Sequence, residues 1–194
     1  MSLIKRIYEP AQPIVQGKFD LVVPLDYASL KGEKLLPHAS ISGLTKAARL
    51  VKAGTAEKIA WASPSRFGSP VEAVHAAKSD IVTPFGIEEL DVLARVECDN
   101  SITEAERILV AAPHALRIIV ICDWRHARRT NRIWRHFYDG ELVILTTDTE
   151  WNEDHPSFWN RSKFMWTLGN LIHHMLLLVV GVERLRKVVH PVKK

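Results

Sequence analysis

Arg117 to Tyr138 reads RIIVICDWRHARRTNRIWRHFY, and the fold can be worked outward from this stretch. It begins with Ile118, Ile119, Val120 and Ile121, a β-branched apolar run of the length and composition of a strand buried on both faces. Asp123 stands where such a strand would end. From Arg125 onward the pattern is that of a helix with two opposed stripes. With successive residues about 100° apart, Ala127, Thr130, Ile133, Trp134 and Phe137 share one side. Arg125, Arg128, Arg129, Arg132 and Arg135 share the other. A buried strand running directly into a helix is half of a βαβ unit. In sheets built from such units, ligands bind beyond the carboxyl ends of the strands, where helix N-termini present free N–H groups. Asp123, Trp124, Arg125 and His126 would all sit there. The arginine stripe has two readings, a solvated face or a binding surface. A stripe of guanidiniums with no Lys or Glu among them is unusual for solubility alone.

The same alternation extends in both directions along the chain. Asp20 to Leu25 (DLVVPL) is the first strand, ending at Asp26. Pro24 would cost a ladder hydrogen bond in a central strand, so it marks the strand's last residue or a bulge. A polar loop is expected from Tyr27 to Ser40. Leu44, Ala47, Ala48 and Val51 then have helical spacing, with Gly54 at the stop. Lys58 to Ala62 is the second strand. Ser69, Pro70 and Glu72 form a capping box with proline at the first helical position, opening a helix that reaches Ser79 or Val82. Leu90 to Val96 is the third strand. A second capping box, Ser101 to Glu104, opens a helix with Ile102, Ala105, Ile108, Leu109 and Ala112 inward, and Pro113 halts it. The fourth strand and the arginine helix follow, then a fifth strand, Glu141 to Leu145. After a polar, Trp-rich loop the chain is mostly helical from 157 to 188.

Strands alternating with helices through short loops specify a three-layer, Rossmann-like α/β fold. The expectation is a mostly parallel five-stranded sheet with helices on both faces and a long C-terminal helical segment. No repeat or linker interrupts it, so one domain is expected over residues 1–194. It would comprise an irregular arm (1–18), a core (19–150) and the helical segment (157–188).

With 47% apolar residues among 194, the chain can bury one substantial core. The net charge of +4 is too modest to imply nucleic acid by itself. Cys98 and Cys122 are the only cysteines, too few for a disulfide framework, so a reduced cytoplasm is the default. The N-terminus shows no long apolar segment, so neither a signal peptide nor an anchor is expected. Leu171 to Val182 (LIHHMLLLVVGV) is too short to span a bilayer and carries two histidines. Because that helix is apolar nearly all round, it should be covered by its own sheet and by a second subunit of a homodimer. Docking on a membrane surface is the other reading.

The familiar nucleotide and nucleophile signatures are absent: no GxxxxGK[ST], no GxGxxG after the first strand, no GxSxG. His173 and His174 are adjacent on a helix and do not share a face as an HExxH pair would, so no metal site is expected. What remains is a set of polar residues at strand ends. Asp26, Ser63, Asp123 and Asp148 each follow a strand, and Arg125 and His126 lie in the turn after the fourth. A parallel sheet gathers such positions at one edge. Each has a structural alternative. Asp and Ser cap helices for local reasons, capping boxes account for Glu72 and Glu104, and His126 could be a buried imidazole bonded to backbone.

The order of these features resembles the YdcF/SanA/ElyC-like family of bacterial proteins, a group defined by a domain of unknown function. Asp20 matches the Asp that leads the family's first strand, and RLVKAGTAEKIAWAS matches its helix-to-strand motif. Ser63 and Glu72 match a Ser and an early helical Glu. VECDNSITEAE matches the acidic strand end and Thr-containing helix start, with Glu97 and Thr103. CDWRHARRT places His126 and Arg129 at the family's His and Arg. The sequence departs from the family at Leu25-Asp26, where the family has Gly-Gly, and at Gly43 and Cys122-Asp123. The resemblance covers residues 19 to about 150. It implies a Rossmann-like fold, a link to cell-envelope upkeep and S-adenosylmethionine as a possible cofactor.

Two functions are therefore expected as alternatives. The first is a cytoplasmic protein binding a small anionic or nucleotide-like ligand at the carboxyl edge. Its pocket would be bounded by Asp20 or Asp26, Ser63, Glu72, Thr103, Asp123, Arg125, His126 and Arg129. Arg129 would offer a planar fork to a phosphate or carboxylate. Asp20 and Asp26 would hold hydroxyls or an amine, and His126 would be the acid/base candidate in any reaction. The second is a non-catalytic protein using the arginine face and basic tail on RNA or an acidic partner. Trp134 and Phe137 on the opposite side count against RNA, which is usually read by aromatics among the basic residues.

Overall fold

The computed structural model describes residues 15–27, 35–64, 70–148, 158 and 161–189. The sheet comprises β1 (Phe19–Pro24), β2 (Ala56–Pro64), β3 (Val92–Cys98), β4 (Arg117–Asp123) and β5 (Glu141–Thr147). Its order is β3-β2-β1-β4-β5, and every neighbouring pair is parallel. This is a Rossmann-like α/β fold. β1 and β4 lie side by side in the interior, with Val23 opposite Val120 and Pro24 opposite Ile121. Ile118 to Cys122 are fully buried, as a run covered on both faces requires. Pro24 is the last residue of β1, and the Leu25 N–H beyond it still donates to the Ile121 carbonyl at 2.9 Å.

The helices are α1 (His38–Lys52), α2 (Val71–Val82), α3 (Ser101–Ala111), α4 (Ala127–Phe137), α5 (Lys163–Val179) and α6 (Val182–Val189). Alternation along each strand divides the core. Leu21 and Val23 of β1 meet residues of α3, α4 and α5 on one face, while Val22 between them meets residues of α1 and α2 on the other. The chain therefore leaves β1 toward one face and β4 toward the other. Between their carboxyl ends lies the switch point at which open α/β sheets bind ligands.

Local signals explain most boundaries. α1 closes in a Schellman motif: Gly54 adopts φ +70°, its N–H donates to Val51, and the Thr55 N–H donates to Leu50, both at 2.9 Å. α1 begins at His38, inside the stretch read as polar loop. α3 is capped one residue earlier than expected. Asn100 Oδ1 accepts from the N–H groups of Ile102 (2.9 Å) and Thr103 (3.1 Å), and Thr103, not Glu104, completes the box. Asn is at least as good an N-cap as Ser, so the shift costs nothing and releases Glu104 for another role. α2 has Pro70 at the N-cap position, and Ser69 lies outside the described residues.

α4 buries Ala127, Thr130, Ile133 and Trp134 as expected, with Trp134 only 1% exposed. The arginine stripe, however, is not one face. Arg128, Arg132 and Arg135 are exposed, Arg129 is half-buried, and Arg125, which precedes the helix, is buried. α5 packs chiefly on α4 rather than directly on the sheet, because α4 already covers β4 and β5 on that face. No helix among the described residues is long and apolar enough to cross a membrane.

Candidate functional site

Two groups of buried charges occupy the carboxyl edge. The first closes on itself. β4 ends at Asp123, where the chain turns and the His126 N–H donates to the Asp123 carbonyl at 2.9 Å. The Asp123 carboxylate accepts from the Arg125 N–H at 2.9 Å and from Arg125 Nη1 at 2.8 and 3.0 Å. The Trp166 indole also donates to it. The Arg125 guanidinium lies over the Trp124 ring, 4.4 Å from its centroid, and 3.5 Å from Asp148. These charges are spent on each other, and their joint effect is to hold the turn.

The second group draws on β1, α2, α3 and α4. Lys78, 1% exposed, donates to the Asp26 carboxylate and to the Ala62 carbonyl. Glu104, 2% exposed, accepts from the Asp26 N–H at 3.0 Å. Burial, and then the charge of Asp26, push the Glu104 carboxyl up to about 8 against the opposing pull of the Asp26 N–H, Lys78 and Arg129. At neutral pH Glu104 thus holds its proton most of the time. Burial brings Arg129 down to about 10, which still leaves it cationic. Its Nε is enclosed and has no hydrogen-bond partner among the described residues. With Asp26 answering Lys78 and Glu104 protonated, the Arg129 charge stands without a carboxylate among the described residues.

His126 sits beside this charge, 1% exposed, with neither ring nitrogen hydrogen-bonded among the described residues. Among the described residues no backbone group satisfies the imidazole. Its ring stands edge-on to Tyr27 and Trp166, at centroid distances of 5.9 and 5.8 Å. Burial, followed by the charges of Arg129 and His173, holds it well below the usual histidine range, so it is neutral. A neutral imidazole carries one N–H donor and one bare acceptor. Enclosing both without partners costs free energy that a bonded group would recover. The Tyr27 hydroxyl accepts from the Asp123 N–H and links the two groups.

Ser63, next to the last residue of β2, belongs to a smaller set. His75 Nδ1 lies 2.9 Å from Ser63 Oγ and accepts from Trp61 Nε1 at 3.2 Å. Because an indole can only donate, Nδ1 is an acceptor, the Ser63 hydroxyl donates to it, and the His75 proton is on Nε2.

Of the residues expected to share a pocket, Asp26, His126 and Arg129 come together, and Asp123 and Arg125 lie beside them as the closed pair. Asp20 does not join them. It is the second residue of β1, at the opposite edge, and accepts from the N–H groups of Leu116 (2.7 Å) and Arg117 (2.9 Å). Six residues of strand, about 20 Å, separate it from Asp26. Glu72 is exposed on the first turn of α2. Thr103 spends its hydroxyl on the α3 cap, accepting from Asp99 (3.1 Å) and Asn100 (3.2 Å) and donating to the Asn100 carbonyl.

The residues missed were Tyr27, Lys78 and Glu104. Lys78 did carry a signal, for it stands one helical turn from both Val74 and Val82 in the buried stripe of α2. Glu104 was absorbed by the capping-box reading. Tyr27 had no signal.

No family model matches the chain, and no curated protein does. Among solved structures, a universal stress protein in complex with cAMP shares 14% identity at a TM-score of 0.47, covering 68% of this chain and 100% of that one. A putative universal stress protein from Pseudomonas aeruginosa UCBPP-PA14 shares 14% identity at a TM-score of 0.40, covering 72% and 51% respectively. The resemblance to the YdcF/SanA/ElyC-like family is thereby corrected: no family model supports it, and those two solved structures belong to a different family. Its motifs matched features that parallel α/β sheets repeat for physical reasons, acidic or hydroxyl residues at strand ends and caps at helix starts. The S-adenosylmethionine that it implied loses its support with it.

Proposed function

We propose that the carboxyl edge between β1 and β4 binds a small ligand through one anionic group, a phosphate or carboxylate. The observation that carries this reading is the juxtaposition of two enclosed groups without hydrogen-bond partners among the described residues, Arg129 Nε and the His126 ring. Arg129 supplies a charge that, among the described residues, no carboxylate answers while Glu104 keeps its proton. A guanidinium is suited to a two-oxygen anion, and the neutral His126 offers a donor and an acceptor to a neighbouring hydroxyl or amide. Asp26, held by Lys78, is placed to orient a second polar group of the same ligand. Nucleotides combine an anion with such polar groups, and they are the first class to test. His126 is also the residue to examine for proton transfer, since its bare nitrogen stands beside the bound anion.

Thermal-shift screening with inorganic phosphate, nucleoside mono- and triphosphates and sugar phosphates tests the reading. A ligand at a hundred times its dissociation constant stabilises by about 2.7 kcal/mol. The shift should vanish in Arg129→Gln and persist in Arg132→Ala, whose side chain is exposed one turn further along α4. Equal behaviour of the two variants, or no shift with any anion, would sink the reading. Turnover lost in His126→Gln with binding retained would add a catalytic role.

A further inference from the structure

We infer that the outward face of α5, with the arginine-lined cleft beside it, is a docking surface for an anionic phospholipid bilayer. Phe164, Leu171, Ile172, Met175, Leu176 and Val179 are all exposed, from 38% at Leu171 to 78% at Val179. At helical spacing they fall within an arc of roughly 140°. No acidic residue occurs anywhere on α5, and its only basic residue besides the two histidines is Lys163 at its start. A contiguous apolar surface of this kind marks an interaction site when it is bordered by charge.

The border is present. A cleft of about 970 Å³ separates α4 from the α5–α6 turn, with Leu177 and Leu178 on its α5 wall. Arg128, Arg132 and Arg135 line it from α4, and Arg184 from α6. Glu183 is the one acidic residue in the lining, and it already lies within 3.8 Å of Arg186, Lys187 and His136. Among the described residues Arg135 donates to the carbonyls of Gly140 and Leu142 and to no carboxylate.

Charge selects the occupant. A second copy packed α5 against α5 would carry a second arginine cleft to the same interface, and Glu183, the one acidic residue in the lining, is already engaged by Arg186, Lys187 and His136. An acidic bilayer supplies the complement to both features, an acyl boundary for the apolar face and phosphates for the guanidiniums. A helix lying in the interface uses this pairing, and apolar insertion together with a basic patch holds far better than either alone. The helix cannot span, so the contact is peripheral.

The test is co-sedimentation of the full chain with phosphatidylcholine vesicles, with and without phosphatidylglycerol, at low and high salt. Binding is expected only to the anionic vesicles and should weaken with salt. Arg132→Glu and Arg184→Glu should each weaken it at least about fivefold. The double substitution Met175→Glu and Val179→Glu should abolish it. All four side chains are exposed, so an unchanged melting temperature will show that the variants fold. Absence of binding to anionic vesicles, or equal binding to neutral ones, overturns the inference. So does a dimer that the α5 double variant dissolves without any vesicle binding in the wild type, which would make a second copy the occupant. Saturable binding of soluble glycerol phosphate in place of vesicles overturns it as well, and would make the cleft a small-anion site.

Discussion

Asp123 with Arg125 and Asp26 with Lys78 are both buried acid–base pairs at the carboxyl edge of one sheet, yet they are opposite in kind. Asp123 and Arg125 are two residues apart, and a single turn brings donors to every face of the carboxylate. Asp26 and Lys78 are 52 residues apart, and around them stand Glu104, Arg129 and His126 with capacity left over. A closed pair contributes geometry. An open one retains charge and hydrogen-bonding groups that a ligand can use. Buried charge is therefore a poor guide to a site, and unspent buried charge is a better one.

Breaking the closed pair should have the largest effect. Asp123→Ala leaves the Arg125 guanidinium buried without its carboxylate and should cost about 3–5 kcal/mol in denaturant unfolding. A cost near zero would mean that the two groups are solvated and the contrast is false.

Glu104 sharpens the contrast through pH. Its carboxyl titrates near 8 in the folded chain and near 4.5 when unfolded, so the folded state binds the extra proton between those values. Stability from this group is full below about pH 4.5 and is lost as pH rises through 8. The loss should reach roughly 2–4 kcal/mol. Glu104→Gln removes the slope, so its urea midpoint should gain on the wild type between pH 5 and pH 8. Parallel midpoints across that range would show that Glu104 is ionised throughout and that the open cluster is internally neutral.

Arg129→Met should behave unlike Asp123→Ala. Because Arg129 has an enclosed nitrogen without a partner among the described residues, replacing it should shift stability by about 1 kcal/mol or less in either direction while ligand-induced stabilisation disappears. A loss as large as that of Asp123→Ala would make Arg129 a structural member of the cluster. The smallest effect is expected at Arg132→Ala, within about 0.5 kcal/mol, as for other exposed positions.

The layers of this molecule were legible because their causes are local. Ile118 to Ile121 could only be a strand buried on both sides, and Trp134 could only face inward from a helix that begins near Ala127. The Gly54 stop needed nothing beyond a left-handed residue at the end of α1. Legibility failed where one residue type serves two purposes. Glu104 fits a helix cap as well as a buried acid, and Asn100 took the cap instead. Asp20 and Asp26 look alike as acids flanking a strand, but parallel strands place the start and the end of β1 at opposite edges.

The chain by itself determined the alternation of strands and helices, the buried face of α4 and the place of His126 in the turn after the fourth strand, since periodicity and side-chain chemistry are read along a few successive residues. Only the tertiary structure decided which charges meet. Glu104 reaches the Asp26 backbone across 78 residues, and Lys78 reaches its carboxylate across 52. It also decided which arginines turn inward, because the packing of α5 on α4 covers Arg129 and leaves Arg132 in water. Burial sets whether a charge is solvated, paired or left waiting for a partner, and burial is a property of the packed layers rather than of any one segment.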